Sequence, residues 1–193
     1  MYVPSHFVES RMEVMHALIA AHPLGTLVTH GAGGLEADHI PFEIAPAGPD
    51  APHGILRAHV ARANPLWKKD GDVMVVFQGA SAYISPSLYE EKAVSGKVVP
   101  TWNYAVVHAH GPLRAIEDPV WLLGLLDRLS AAHERTRAMP WKIEDAPRQF
   151  IDKLLGAIVG IEIPVQRMQG KWKMSQNRSE NDRRMIAEDT GLR

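Results

Sequence analysis

The run from Val99 to Gly111 places Thr101, Trp102, Asn103 and Tyr104 behind a Val-Pro step and ends with His108 and His110. Two large aromatics suit stacking on a flat ring, and an amide and a hydroxyl suit hydrogen-bonding its edge. The same residues also fit a half-buried strand with its polar side to water. A second cluster, Arg57, His59, Arg62 and Asn64, lies where a strand gives way to a turn of helix at Pro65. Guanidinium groups and backbone amides at a helix start are what a phosphate needs, so the cluster reads as a phosphate site or as the polar outward face of a strand. Asp38, His39, Ile40 and Pro41 put polar residues and a proline inside a strand pattern. Proline there implies an edge or a bulge, which frees backbone groups to address a heteroaromatic ring. The stretch from Lys171 to Arg178 gathers Lys173, Ser175, Gln176 and Arg178 around one Trp and one Met. It reads either as part of a binding site or as a solvated basic linker. His59, His108 and His110 offer imidazoles, but no carboxylate stands at a telling spacing and no H-E-x-x-H pattern occurs, so no metal site is expected.

The elements that must position these groups follow from periodicity and turn residues. Val8, Met12, Met15, Ile19 and His22 recur at helical spacing, predicting a helix over 5–22. Strands are expected at 25–29 and 37–44, joined by a turn over 30–34, then at 54–60, 72–78, 79–84, 102–110 and 113–116. Asp118-Pro119 opens a helix over 118–138, and a further helix covers 147–155. A strand over 157–163 and a C-terminal helix over 179–190 complete a single domain spanning 1–193. Short strands with tight turns predict an antiparallel sheet that closes on itself, so the fold class is mainly β, a small barrel with flanking helices.

Composition narrows the function. The chain has 193 residues, 46% hydrophobic and 22% charged, with a net charge of −1. That balance does not suit coating nucleic acid or an anionic membrane by bulk charge. There are no cysteines, which excludes disulfides and thiolate chemistry and fits a cytoplasmic setting. Neither a signal peptide nor a membrane span is expected.

Five ordered motifs carry a resemblance: Met1 to Phe7, His59 to Pro65, Tyr83 to Ser87, Val99 to Tyr104 and Lys173 to Arg178. Together the sequence resembles the PaiB-like family, described as FMN-binding negative transcriptional regulators. The resemblance implies a split β-barrel of the pyridoxamine-phosphate oxidase and flavin-reductase group, a homodimer with FMN in a groove at the interface. It implies that Asp38, His39, Ile40 and Pro41 lie along the isoalloxazine, that Thr101, Trp102 and Asn103 supply ring contacts, and that Lys173, Ser175, Gln176 and Arg178 close the site. His59, Arg62 and Asn64 take the phosphate side. Split barrels host many activities, so three functions stay open. They are a regulator, a flavin-dependent oxidoreductase using NAD(P)H, and a haem-handling protein with His59, His108 or His110 as axial ligand. Direct DNA binding is weakly supported, because no helix-turn-helix is evident and the cations after Asp118 are interspersed with Glu134, Glu144 and Asp145.

Overall fold

Alternation sets the strand over Ile55–Ala61: Leu56, Ala58 and Val60 are buried, while Ile55, Arg57 and His59 alternate with them on the other side. In a computed structural model, which describes residues 1–31 and 33–192, the elements run β1 (Val8–Glu9), α1 (Met12–Ala21), β2 (Leu24–Gly31), β3 (Gly34–Pro41), β4 (Glu43–Ala45), β5 (Ile55–Ala61), β6 (Asp72–Ile84), α2 (Glu91–Val94), β7 (Thr101–Pro112), β8 (Arg114–Ile116), α3 (Pro119–Glu134), α4 (Arg148–Gly156), β9 (Ile158–Pro164), β10 (Arg167–Lys173) and α5 (Glu180–Thr190). Ala32, within the turn expected over 30–34, lies outside the described residues.

Two compact units interleave along the chain. The first takes Met1–His22, Val76–His108 and the residues from Met168 onward. Its strands run in the order β1-β10-β7-β6. Helix α1 lies against this sheet through Met15 and Leu18. A Cβ at Gly170 of β10 would stand 2.9 Å from Met15 Sδ, and one at Gly79 of β6 would stand 3.0 Å from Leu18 Cδ1. Helix α5 is capped by the Ser179 hydroxyl, which accepts from Asp182 N at 3.1 Å, and ends at Gly191 in the left-handed region. Its Ile186 packs with Ile84 and Tyr89.

The second unit, Pro23–Val75 and Ala109–Arg167, holds the β2–β3 hairpin and an antiparallel sheet ordered β4-β5-β9-β8. The Asp118 carboxylate caps α3 by accepting from Val120 N at 2.8 Å, with Pro119 in the first turn. Leu122, Ile143, Ile151 and Leu155 form a core between α3 and α4, with Trp121 packed beside them. Two glycines permit close approach. A Cβ at Gly160 would lie 2.4 Å from the Trp121 ring, and one at Gly111 would lie 2.0 Å from the Pro164 carbonyl oxygen.

Several boundaries differ from the sequence reading. The helix expected over 5–22 starts at Met12, because Ser5–Phe7 form a 3-10 turn and Val8 and Glu9 pair with Lys171 and Gly170 of β10. Buried Glu9 accepts from Arg11 N and from the Arg11 guanidinium, and those bonds hold its carboxyl below the usual range and bring the chain into α1. The helix expected over 118–138 ends at Glu134, those over 147–155 and 179–190 run Arg148–Gly156 and Glu180–Thr190, and 72–84 is one long strand. Of the edge or bulge expected at Pro41, the structure has the edge: β3 is the outer strand of its sheet, and Asp38, His39 and Ile40 keep regular register with Leu27, Thr26 and Gly25 up to Pro41 at its end.

Candidate functional site

In the first unit, the start of β7 and the end of β10 bring Thr101, Trp102, Asn103, Lys173 and Ser175 together. The Lys173 ammonium donates to Thr101 Oγ1 at 2.5 Å and to the Trp102 carbonyl at 2.6 Å. Just past β10, Ser175 takes a φ of 60°, a strained conformation for a residue with a side chain. The turn is held by its contacts. The Ser175 hydroxyl donates to Asn103 Oδ1 at 3.0 Å, both residues being buried, and Gln176 bonds back to Met174 N and to the Trp172 carbonyl. Gln176 therefore braces this loop from outside. Arg178 N donates to the Ser175 carbonyl, and its guanidinium stacks 4.4 Å above the Tyr89 ring.

Thr101, Asn103, Lys173, Ser175 and Arg178 line a pocket of about 220 Å³ with His6, Phe7, Tyr89 and Asn177. Two cations, three hydroxyls and two amides make it an anion site in character. Tyr89 is 3% exposed, and its hydroxyl has no hydrogen-bond partner among the described residues. A buried hydroxyl left open at a cationic pocket fits a ligand that supplies the missing oxygen or nitrogen. Burial pushes the Lys173 ammonium below the usual lysine value. The positive charges of Lys171 and Arg178 act the same way, and Tyr104 opposes them. The unit also exposes Trp102, at 55%, in an edge-to-face pair with Tyr83, their ring centroids 6.0 Å apart.

The remaining sequence candidates belong to the second unit. Asn64 caps the 3-10 turn Pro65–Lys68 by accepting from Leu66 N at 2.9 Å, and it donates to Asp38 Oδ1 at 3.0 Å. The Arg62 guanidinium is committed to Glu117 Oε2 and to the carbonyls of Gly156 and Ile158. Both residues thus spend their polar groups on fastening β5 and its following turn. Ile40 is 5% exposed and belongs to the core, whereas His39 and Pro41 are exposed. His59 and Pro41 share a shallow, mostly apolar pocket with Leu126, Leu129 and Trp141. Burial lowers the His59 pKa, so the ring is neutral at pH 7, and its Nδ1 is buried without a partner among the described residues. His110 Nδ1 faces Arg167 Nη2 at 3.0 Å. The described residues contain no group of three or more metal-ligating side chains.

Sequence reasoning missed His6, Phe7, Tyr89 and Asn177. His6, Phe7 and Asn177 stood inside motifs already singled out, and Tyr89 lies just past the Tyr83–Ser87 motif.

This architecture is a flavin-type split β-barrel with mainly β content and flanking helices. The FAD and haem binding protein from Mycobacterium smegmatis has the same fold, with a TM-score of 0.65 over 94% of this chain and 79% of that one, at 16% identity. The family model described as "Putative FMN-binding domain" matches residues 1–167, and the chain belongs to this PaiB-like FMN-binding family. Relatives include protease synthase and sporulation protein PAI 2 of Bacillus subtilis, 33% identical over 94% of this chain and 85% of that protein. An uncharacterised protein of Emericella nidulans is 34% identical over 95% of this chain and 87% of its own length. FMN is the family's cofactor. No helix among the described residues is long and apolar enough to cross a membrane.

Proposed function

We propose that the protein is a homodimeric, FMN-responsive negative regulator of transcription of the PaiB type that acts through another protein in the cytoplasm. The pocket built by Lys173, Arg178, Thr101 and Ser175 carries the flavin part of this reading, because its charge and hydroxyls match the FMN phosphate. Bound FMN supplies a ring that accepts and returns one or two electrons. Lys173 and Arg178 hold the phosphate, the Tyr89 hydroxyl gains a partner, and exposed Trp102 and Tyr83 offer aromatic surface to the ring.

A pocket of about 220 Å³ lies below the ~300–1,000 Å³ usual for ligand sites. Enclosing a whole flavin calls for further surface, and a second copy is the simplest source. Kinship with a protein named for protease synthesis and sporulation supports the regulatory part. Two of the cations in and beyond α3 are already paired, since Arg128 forks onto Glu43 at 2.7 and 3.0 Å and Arg148 binds Asp152, which weakens a basic surface for direct DNA reading. Light scattering with and without FMN, a reporter of target expression and a salt-titrated DNA shift test this together. A monomer that binds FMN would remove the dimer. A specific shift with a steep salt slope would replace indirect control by direct control. Steady NADH oxidation through bound FMN would favour the oxidoreductase.

Two results are expected at the candidate residues. Arg62→Ala should leave the FMN dissociation constant within about threefold, yet cost roughly 0.5–1.5 kcal/mol of stability by removing its bonds to two carbonyls and to exposed Glu117. Tenfold weaker FMN binding at unchanged stability would return Arg62 to the phosphate. FMN affinity should also fall at alkaline pH. The phosphate is doubly charged above about pH 6, and Lys173 is protonated only below its lowered pKa. Loss of affinity must therefore begin below the ~10.4 of a solvated lysine. Affinity that stays flat to pH 10.4 would remove Lys173 from the contact.

A further inference from the structure

Helix α3 carries two apolar faces. Leu122 and Leu125 are buried at 1% and 0% exposure. Val120, Leu123, Gly124 and Asp127 recur at i, i+3, i+4 and i+7 and form a second stripe. This stripe lines an open cleft of about 570 Å³, whose far wall includes Ile143 and Ile151. The cleft falls within the size range of small-ligand sites.

The backbone conformation of Gly124 does not require glycine. It lies inside a helix, where glycine costs about 1 kcal/mol against alanine. It is absent from the positive-φ glycines, and a Cβ there would meet only Arg128 Nη1 at an ordinary 3.5 Å. What the glycine does is keep the cleft open beside Leu123. The polar rim is anionic. Asp127 and Glu144 form no ion pair among the described residues, and the third charged liner, Arg148, is held by Asp152 at 2.8 Å.

We propose that this cleft binds a small cationic amphiphile, its hydrocarbon body on Val120, Leu123, Ile143 and Ile151 and its ammonium or amidinium head at Asp127 and Glu144. The site uses none of the flavin-pocket residues and stands independently of the FMN reading.

The test is calorimetric titration of the whole protein with 2-phenylethylammonium and with the anionic 3-phenylpropionate. The ammonium should bind saturably and about tenfold or more tightly than the carboxylate, a preference that fades with salt. Gly124→Leu should abolish binding, with circular dichroism checking that the helix is intact, because the longer side chain also meets the Arg128 guanidinium. Gly124→Ala, a smaller intrusion, should weaken binding with the helix equally intact. Asp127→Asn with Glu144→Gln should cut ammonium affinity about tenfold and erase the preference over the carboxylate. FMN affinity should be unchanged throughout. Equal affinity for the two probes, binding that survives Gly124→Leu, or no binding by wild type would overturn the proposal. So would dissociation of a dimer by Gly124→Leu in light scattering, which would make the cleft a contact between copies.

Discussion

Lys173→Ala is expected to raise the FMN dissociation constant by about 10- to 100-fold and to leave riboflavin binding within about twofold. A charge-assisted hydrogen bond to phosphate is worth roughly 1.5–3 kcal/mol, and each 1.4 kcal/mol is tenfold. Riboflavin has the ring and lacks the phosphate, so the comparison isolates the proposed contact. The control matters because Lys173 also ties Thr101 and the Trp102 carbonyl to β10. Were that tie its whole role, the start of β7 would loosen and both ligands would weaken together. Fluorescence quenching titrations of both flavins decide between these outcomes. Lys173→Arg, which keeps the charge on a different geometry, should recover part of the FMN affinity.

Gly111→Ala should have the largest effect on the fold itself. Its Cβ would lie 2.0 Å from the Pro164 carbonyl oxygen and 3.2 Å from Ile163 Cγ2. The nearer obstacle is backbone in β9, which cannot swing aside as a side-chain tip can. A loss of about 3 kcal/mol or more is expected, a fall of roughly 10 °C in melting temperature for a chain of this size. Gly156→Ala provides the contrast, since nothing stands within 4 Å of a Cβ there. It should be neutral or slightly stabilising, and a shared loss in both variants would mean that glycine content rather than the β7–β9 approach is responsible. Thermal denaturation followed by circular dichroism measures both.

The sequence reading succeeded where local chemistry decides. The strand expected over 54–60, the Asp118-Pro119 opening and the helix expected over 179–190 all rest on residues a few positions apart. It failed where a distant partner decides. Val8 lies in register with the helical stripe of Met12, Met15 and Ile19, yet it is drawn into a strand by Lys171. Arg62 has the chemistry of a phosphate ligand, and only the position of Glu117 and the ends of α4 and β9 shows its donors engaged. Strand β10 escaped notice because Lys171 and Lys173 resemble a solvated run. In fact the Lys171 ammonium lies 5.2 Å from the Tyr104 ring centroid and 6.0 Å from that of Tyr2. Of the flavin candidates, Thr101, Trp102, Asn103, Lys173, Ser175 and Arg178 do gather in one unit, because two strand ends bring them there. That convergence was legible as a list of residue types and invisible as a place.

The pairing of β1 with β10 also bears on how the molecule is made. Phe7 reaches the cationic pocket because Val8 is anchored to Lys171, and the opposite wall is Lys173 to Arg178. A ribosome therefore releases Phe7 and Val8 long before Lys171 and Lys173, so one wall waits for the other. During that interval Val8 has no strand to join, and Lys173 has not yet been synthesised to meet Thr101. Such long-range closure is slow and leaves apolar edges waiting. The nascent chain thus has no pocket to offer. On the proposed reading, FMN is held only once β10 has paired with β1 and Lys173 has met Thr101.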